Sequence, residues 1–370
     1  MKEIQKNHID AKRAGGNMIR RLEHPLYQED IQYVAGLHLP WEKLNGKSVL
    51  VTGASGLLGS IFVDAVMERN REMNLQCKIY AVGRNEAEAR ERFFPYWDEP
   101  WFQFAAHDIN EPLEGVTDQT FAFMIHLASN THPVAYAKDP VATITTTIMG
   151  TNHLLRYAAS HPGGRFVFAS SNEIYGENRG DAEFFDETYC GYLDCNTLRA
   201  GYPESKRCGE ALCQAYQAEK GVDVVIPRFT RSYGPTMRLS DTKAVSQFIR
   251  KGIEGKDIVL KSAGSQHYSY TYGADAVSGL LTVMLLGECG NAYNIADGKS
   301  DITLKDLSQA VAVACGTKVV FQDPDAVERA GYSTATKARL DGSRLKGLGW
   351  SMKYDIPGGI ERTVKIMTEA

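Results

Sequence analysis

The chain has 370 residues, of which 43% are hydrophobic and 23% are charged, and its formal net charge is −4. A chain of this length buries a large core without disulfides or metals, and its balanced charge argues against a nucleic-acid binder. The seven scattered cysteines include no CxxC pair, so we expect reduced thiols and no metal site. No apolar run approaches the ~20 residues of a membrane span, and the polar N-terminus lacks the apolar core of a secretory signal. We therefore expect a cytoplasmic protein with no membrane and no nucleic-acid partner.

Residues 1–46 precede the first clear strand, and their scattered apolar positions predict short helices, an N-terminal extension packed on the main body. From residue 47, helices alternate with the strands SVLVTG, KIYAVG, FQFAAHDI, FAFMIHLAS, RFVFASS and VDVVIPRF. This alternation predicts an α/β fold with a doubly wound parallel sheet of the Rossmann type over residues 47–229. Beyond residue 229, helical patches mix with short strands. This predicts a smaller α+β C-terminal lobe over 230–370 that binds substrate and sends segments back to the first domain.

A glycine-rich loop joins the first strand to the first helix of this domain. Its GxxGxxG spacing is weak evidence alone, but a strand before it and a helix after it are the context of a dinucleotide-binding turn. The first glycine allows the tight turn, the second lets the pyrophosphate approach, and the third lets the helix pack on the strand. The helix N-terminus attracts the phosphates. We predict that a nicotinamide dinucleotide binds the loop residues Gly53, Ser55, Gly56, Leu57, Leu58 and Gly59.

The second strand ends in Gly83-Arg84-Asn85, where an NAD-binding fold usually carries an acidic residue for the ribose hydroxyls. A carboxylate at this point would repel a 2′-phosphate, whereas an arginine accommodates one. Arg84 therefore favours NADP as the cofactor. The alternative, in which Arg84 is a solvated loop residue and NAD binds, stays open.

Tyr202 and Lys206 are four residues apart at the start of a predicted helix, so their side chains lie on one face. A phenol has a pKa of about 10, and a nearby ammonium and a nicotinium ring would lower it towards neutrality, where tyrosine can act as a base. Ser171, just past the fifth strand, is placed to hydrogen bond a substrate oxygen. The YxxxK spacing recurs at Tyr216 and Lys220, but far from the strand ends where ligands bind. We expect that second pair to be a surface or packing pair.

With these residues in place, the chain resembles the extended short-chain dehydrogenase/reductase family, the NAD-dependent epimerases, dehydratases and decarboxylases of nucleotide sugars. The resemblance covers roughly residues 47–365 and is carried by GASGLLG, HDI at 107–109, IHLAS, SSNEIYG at 170–176, YPESK at 202–206 and SYGP at 232–235. The stretch ETYCGYLDCNTLRAGYPESKR looks most like UDP-glucuronate decarboxylases. It includes an arginine, Arg199, three residues before the tyrosine.

The resemblance implies roles for individual residues. Tyr202 would take the proton of the sugar 4-hydroxyl while hydride leaves C4 for a tightly bound NAD(P). Lys206 would hold the ribose and tune Tyr202, and Ser171 would bind the 4-oxygen. Asp108 and Ile109 would contact the adenine, and Leu127, Ala128 and Ser129 would line the dinucleotide. The resemblance also implies a homodimer through the helices around 141–160 and 203–220.

Glu173 lies where the resemblance implies an acid in dehydratases and decarboxylases and none in simple epimerases. A carboxylate here would take the C5 proton, help to expel the C6 oxygen or orient a substrate carboxylate. Alternatively, it satisfies backbone N–H groups of its own loop. Its neighbour Asn172 replaces the aspartate of dTDP-glucose dehydratases, and Thr147 replaces the family's helix asparagine.

Two further departures concern the substrate. Tyr268 stands where decarboxylases carry an arginine that contacts substrate, and Arg231 replaces an asparagine near the diphosphate. Because Arg231 keeps a cation near a phosphate or carboxylate site, our hypothesis is that it compensates for the change at 268. We predict an enzyme that modifies a nucleotide sugar by transient C4 oxidation, most like a UDP-glucuronate decarboxylase. A 4,6-dehydratase, an epimerase, a ketoreductase, or a cofactor-binding sensor or scaffold are the alternatives.

Overall fold

The computed structural model of the protein describes residues 21–129, 131, 139–238, 240–323 and 336–370. Residues 1–20 of the predicted N-terminal extension and 324–335 of the predicted C-terminal lobe lie outside this description. The strands in chain order are β1 (Ser48–Thr52), β2 (Lys78–Gly83), β3 (Phe102–Ala106), β4 (Phe123–His126), β5 (Arg165–Phe168), β6 (Ser170–Ser171), β7 (Asp223–Phe229), β8 (Arg231–Tyr233), β9 (Ile258–Leu260), β10 (His267–Tyr272), β11 (Ala292–Ile295), β12 (Asp301–Thr303), β13 (Val319–Phe321) and β14 (Lys337–Ala338).

Eight of these strands form one large parallel sheet, in the order β11-β7-β5-β4-β1-β2-β3, with β6 pairing beside β7. Strands β1, β4 and β5 are almost wholly buried, as expected for a sheet covered on both faces. The strand order reverses between β1 and β4, and a crevice opens at the carboxyl ends of strands at such a point. The predicted doubly wound parallel sheet is confirmed.

The helices connect the strands, and several of them begin or end at residues that favour a helix terminus. They are α1 (Pro25–Ala35), α2 (Leu57–Met73), α3 (Glu86–Arg92), α4 (Pro140–Ser160), α5 (Gly201–Lys220), α6 (Ala244–Ile253), α7 (Gly273–Leu286), α8 (Leu304–Cys315), α9 (Ser343–Lys346) and α10 (Ile356–Glu369). Asp139 caps α4 by accepting a hydrogen bond from the N–H of Ala142, and Pro140 occupies the first turn. Gly221 ends α5 in the left-handed conformation, at φ 68°.

The remaining strands form two small sheets, and we call this part of the structure the second lobe. Strand β10 pairs with β12 antiparallel and with β8 and β14 parallel, while β9 and β13 form a two-stranded parallel sheet. Strand β8 starts two residues after β7 ends, and β11 returns to the large sheet on the other side of β7. The chain therefore crosses between the lobes more than once, and the carboxyl end of β7 leads directly into the second lobe.

Helix α1 packs where the two lobes meet. The hydroxyl of Tyr27 donates to Asp64 of α2 at 2.5 Å, and the guanidinium of Arg92 from α3 binds the same carboxylate at 2.5 Å. Both charged side chains are almost fully buried. On its other side, Asp30 of α1 pairs with Arg362 of α10 at 2.9 Å. Residues 21–46 thus join the first helix of the sheet domain to the last helix of the chain.

Three general features bear on function. None of the helices in the described ranges combines the length and the apolar character that a membrane crossing requires. Among the same residues, no group of three or more histidine, cysteine or carboxylate side chains is arranged to hold a metal ion. All seven cysteines are described, and each is a free thiol.

Candidate active site

The glycine-rich loop forms a tight turn between β1 and α2. Gly53 has a φ of 68°, and a Cβ there would come within 2.8 Å of the backbone nitrogen of Ala128. A Cβ at Gly59 would lie 2.4 Å from the carbonyl oxygen of Gly53. Helix α2 starts at Leu57 with no side chain capping its first turn. The loop thus has two features of a dinucleotide-binding turn, close packing of strand against helix and an uncapped helix N-terminus that can attract phosphates.

The residues expected near the adenine follow β3 on the same edge of the sheet. Asp108 accepts a hydrogen bond from the backbone N–H of Asn110 at 3.0 Å, which fixes the turn. Ile109 is buried and packs against Gly150 of α4, where a Cβ would lie 2.7 Å from its Cδ1 atom. Because residue 150 is a glycine, the Ile109 side chain can pack directly against α4.

The residues predicted to line the dinucleotide follow β4. The N–H of Leu127 donates to the carbonyl of Thr52 at 3.2 Å, and that of Ala128 to the hydroxyl of Thr52 at 3.2 Å. The Ser129 hydroxyl lies 3.2 Å from that of Thr147 on α4. The ends of β1 and β4 are thereby joined, and the segment after β4 runs directly beside Gly53.

A contact that the sequence did not suggest crosses from the second lobe to this loop. Arg238, which follows β8, lies 3.5 Å from the Ser55 hydroxyl and forms an ion pair with Glu88 in the first turn of α3. The nearby Thr236 hydroxyl donates to the carbonyl of Leu57 at 2.8 Å. Arg84, at the end of β2, is exposed. The second lobe thus docks onto the loop expected to hold the phosphates.

Ser171, Tyr202 and Lys206 are all buried and lie at the carboxyl end of the sheet and the start of α5. The Lys206 ammonium donates to the carbonyl of Ala169 at 2.7 Å and lies 5.9 Å from the centre of the Tyr202 ring. Burial lowers the pKa of Lys206 to about 8. Three of the four predicted catalytic side chains are therefore buried beside one another.

The pKa of Tyr202 is raised above its usual range, chiefly by burial and then by the negative charge of Glu173. A hydrogen bond with Ser171 and the positive charge of Arg199 act in the opposite direction. The expectation from the sequence was a lowered pKa. The protein groups around the phenol thus oppose one another, and a further positive charge in the site would be needed to lower it.

Glu173 and Arg199 form an ion pair at the edge of this region. One guanidinium nitrogen of Arg199 lies 2.9 Å from each carboxylate oxygen of Glu173. About a quarter of each side chain is exposed. The N–H of Glu173 also donates to the Ser171 hydroxyl at 3.2 Å. Asn172 between them is buried.

Arg231 and Tyr268 meet face to face on neighbouring strands. Register pairs Arg231 of β8 with Tyr270 of β10. The guanidinium carbon of Arg231 lies 3.7 Å from the centre of the Tyr268 ring. Two of the positions at which the sequence analysis found departures from the family pattern are therefore in direct contact.

The buried His126 and the second YxxxK pair lie outside this group of contacts. The His126 ring is buried, its Nδ1 lies 2.8 Å from the hydroxyl of Thr52, and burial lowers its pKa to about 3. His126 is thus a neutral core residue. The second YxxxK pair lies apart, because Tyr216 donates to Asn152 of α4 and Lys220 pairs with Glu219 at the surface.

The fold and this site together define a nicotinamide-dinucleotide-dependent enzyme. More particularly, the chain belongs to the NAD dependent epimerase/dehydratase family, whose model matches residues 49–296. The family predicted from the sequence is therefore confirmed. The predicted class of activity, an NAD-dependent enzyme that modifies nucleotide sugars, is confirmed as well. The family supports NAD as cofactor, while a preference for NADP stays a prediction.

Several known proteins are similar over most of their length. UDP-glucuronic acid decarboxylase 6 of Arabidopsis thaliana is 30% identical over 317 residues, which are 84% of this chain and 86% of that protein. UDP-glucuronic acid decarboxylase 1 of the same plant is 32% identical over 320 residues, 85% of this chain and 68% of that protein.

Solved structures show the same fold. The dTDP-glucose 4,6-dehydratase DesIV of Streptomyces venezuelae, solved with NAD and TYD bound, has a TM-score of 0.73 at 24% identity and covers 86% of this chain and 96% of its own. The UDP-glucuronic acid 4-epimerase of Bacillus cereus, solved with UDP-glucuronic acid and NAD, has a TM-score of 0.72 at 22% identity and covers 86% and 98%.

Proposed function

We propose that the protein removes the carboxylate of UDP-glucuronate by a redox-neutral cycle on a tightly bound NAD(P). The observation that carries the proposal is that the buried side chains of Ser171, Tyr202 and Lys206 lie beside one another and beside the Glu173–Arg199 pair. The decarboxylases similar to this chain along 84% of its length support the substrate class.

The chain's own residues would act on the sugar as follows. Ser171 would hydrogen bond the 4-oxygen, and Tyr202 would accept the 4-hydroxyl proton. Because burial raises the pKa of Tyr202, its ionisation depends on Ser171 and Arg199, which both favour the phenolate. Lys206, with a pKa of about 8, carries its charge at neutral pH and would hold the ribose. NAD(P), when bound, supplies a hydride acceptor at C4 that restores the hydride at the end of turnover.

The chemistry balances without another reagent. In a 4-keto uronate the bond between C5 and C6 breaks, CO₂ leaves, and the electron pair passes to the C4 oxygen as an enolate. A proton adds at C5, and Tyr202 returns its proton to the 4-oxygen when C4 regains its hydride. One UDP-glucuronate and one proton thus give a UDP-pentose and CO₂. Glu173, whose backbone N–H donates to the Ser171 hydroxyl, would orient the reacting end of the sugar.

The preference for NADP rests on Arg84, which is exposed at the end of β2 with no acidic residue beside it in sequence. Titrating the cofactor-free protein with both dinucleotides tests this part. Tighter binding of NADP, lost on Arg84→Ala, supports the preference. Clearly tighter binding of NAD would overturn it and leave the rest of the proposal in place.

The homodimer is supported by an apolar surface along α4 and the segment before α5. Val141 and Leu198 are each 69% exposed, and Met149 is 44% exposed. Leu198 also lines an open cavity of about 360 Å³, together with Ile144 and Ile148 of α4. An exposed patch of this kind marks an interface. Sedimentation should show a dimer that Leu198→Glu converts to monomer, while Val313→Glu, at an exposed apolar residue of α8, leaves it intact.

The activity is tested by incubating the protein with a panel of UDP- and dTDP-sugars and following products by mass spectrometry. Loss of CO₂ from UDP-glucuronate supports the proposal. Loss of water from another sugar would show a dehydratase, an isomeric product an epimerase, and consumption of added NADPH a ketoreductase. A protein that binds cofactor and changes no sugar would be a sensor or scaffold.

A further inference from the structure

Arg231 occupies a defined place beside the proposed reaction centre. Strand β6 pairs with β7 so that Ser171 lies opposite Phe229. Arg231 begins β8 two residues beyond Phe229, about 7 Å further along an extended chain. The backbone of Arg231 therefore continues from the strand end that lies beside Ser171.

The Arg231 guanidinium is held in place by an aromatic ring. It stacks on the ring of Tyr268, with its carbon 3.7 Å from the ring centre, and Tyr268 is buried. This distance is well inside the range over which a cation and an aromatic face attract each other. The charge of Arg231 also acts on the neighbouring Tyr270. Burial raises the pKa of Tyr270 to about 12, and the positive charge of Arg231 opposes this rise.

The same guanidinium retains capacity to bind an anion. Its Nη1 atom is buried and makes no hydrogen bond within the described ranges. Across those ranges, Arg231 also forms no ion pair with a carboxylate, unlike Arg199 with Glu173. A buried N–H group without a partner is costly, and a planar guanidinium binds carboxylates through paired hydrogen bonds. An anionic ligand would therefore stabilise Arg231 where it is.

We propose that Arg231, positioned by Tyr268, is the receptor for the C6 carboxylate of the sugar. This assignment rests on the proposed function. The carboxylate is the anion nearest to the reacting 4-oxygen, since C6 is attached to C5 next to C4, whereas the diphosphate is attached to C1 across the ring. Arg231 lies two residues beyond Phe229, which pairs with Ser171, and this position favours the C6 carboxylate over the diphosphate as its ligand. Tyr268 acts through Arg231 and is a positioning residue.

The test compares binding of UDP-glucuronate and UDP-glucose, which share a diphosphate and differ at C6, to the cofactor-loaded protein by calorimetry. Arg231→Gln should weaken UDP-glucuronate by about 10- to 100-fold, as for a lost hydrogen bond to a charged group, with little effect on UDP-glucose. Tyr268→Phe keeps the ring and should match the native protein. Tyr268→Leu should lose part of the discrimination and keep bound cofactor. Arg71→Gln, which removes a similar arginine stacked on Tyr96 at the far end of α2, is the matched control.

The outcomes separate the two proposals. If Arg231→Gln keeps the preference for UDP-glucuronate, or weakens both sugars equally, the carboxylate receptor is wrong and the proposed function survives. If Tyr268→Phe behaves as Tyr268→Leu does, the ring is not the positioning element. If the native protein shows no preference for UDP-glucuronate over UDP-glucose, the proposed function fails and this assignment fails with it.

Discussion

The carboxylate of Glu173 lies 2.9 Å from the guanidinium of Arg199, three residues before Tyr202 in the chain. The two charges act in opposite directions on the phenol, because Glu173 raises the pKa of Tyr202 and Arg199 lowers it. The pair therefore keeps a carboxylate near Tyr202 while limiting the rise that it causes in the pKa of the phenol.

This balance predicts how the pH profile of C4 oxidation responds to mutation. Tyr202 accepts a proton only as phenolate, so the rate rises as pH rises through its pKa. Glu173→Gln should shift this limb to lower pH, and Arg199→Gln should shift it to higher pH. The measurement is single-turnover formation of reduced nicotinamide across a pH series. Shifts in the same direction for both variants would contradict the opposing roles, and unchanged overall turnover in Glu173→Gln would remove Glu173 from catalysis.

The two YxxxK pairs on α5 provide an internal comparison. Tyr202→Phe removes the proposed base and should slow turnover by about 10²- to 10⁴-fold, the usual range for a lost general base. Tyr216→Phe removes only a hydrogen bond to Asn152 and should leave turnover unchanged. Steady-state rates of both variants, with cofactor content measured in each, check the assignment. A comparable loss in Tyr216→Phe would show that position on the helix does not decide function.

Cofactor affinity should fall as pH rises through about 8. Burial lowers the pKa of Lys206 to about 8 from 10.5, so above that pH the neutral amine replaces the ammonium that would face an anionic dinucleotide. Stability should change in the opposite sense. Between these two values the unfolded chain binds the proton and the folded protein does not, so the free energy of unfolding rises with pH.

Binding titrations of NAD alongside urea unfolding, each over pH 7 to 10, separate the two effects of Lys206. Lys220→Ala, at an exposed lysine of the same helix, serves as control and should not alter the profile. An affinity independent of pH in the native protein would show that the Lys206 charge does not contribute to dinucleotide binding.

The fold could be predicted from the sequence because the signals that determine it are local. Short apolar runs predicted strands such as β1 and β7, and the glycine spacing located the loop between β1 and α2. Contacts between distant segments gave no such signal. Arg238 reaches Glu88 across 150 positions, and no pattern near either residue indicates the other. Arg231 stacks on Tyr268 only because two short strands pair in one register, which sequence spacing does not reveal.

The role of the glycine-rich loop in dinucleotide binding can be tested with two glycine-to-alanine substitutions that should destabilise the protein by similar amounts. Gly59→Ala places a Cβ 2.4 Å from the Gly53 carbonyl, so the loop must shift, at a cost typical of overpacking, about 1–3 kcal/mol. Gly46→Ala meets no atom within 4 Å but has a φ of 65°, which costs about 1–2 kcal/mol. Only Gly59→Ala should weaken NAD binding in calorimetry. Equal loss of affinity in both variants would mean that the loop geometry is not what binds the dinucleotide.

The buried pair between Arg92 and Asp64 should dominate the stability of the first lobe. Asp64→Ala leaves a buried guanidinium without its anion and should lower the free energy of unfolding by about 3–5 kcal/mol. Glu114→Ala, which removes the partner of Arg156 from an exposed pair, should cost far less. Urea denaturation of both variants checks the difference. Similar losses would show that the Arg92 charge finds another partner or reaches solvent.

The two contacts of helix α1 can form only at different times as the chain is synthesised. Its partner Asp64 leaves the ribosome soon after α1 itself, but Arg362, which binds Asp30, follows 332 residues later. Contacts of such sequence separation close slowly, since the intervening chain must first be arranged. Helix α1 can therefore dock on α2 early in synthesis, whereas Asp30 must wait for its partner until residue 362 has been made.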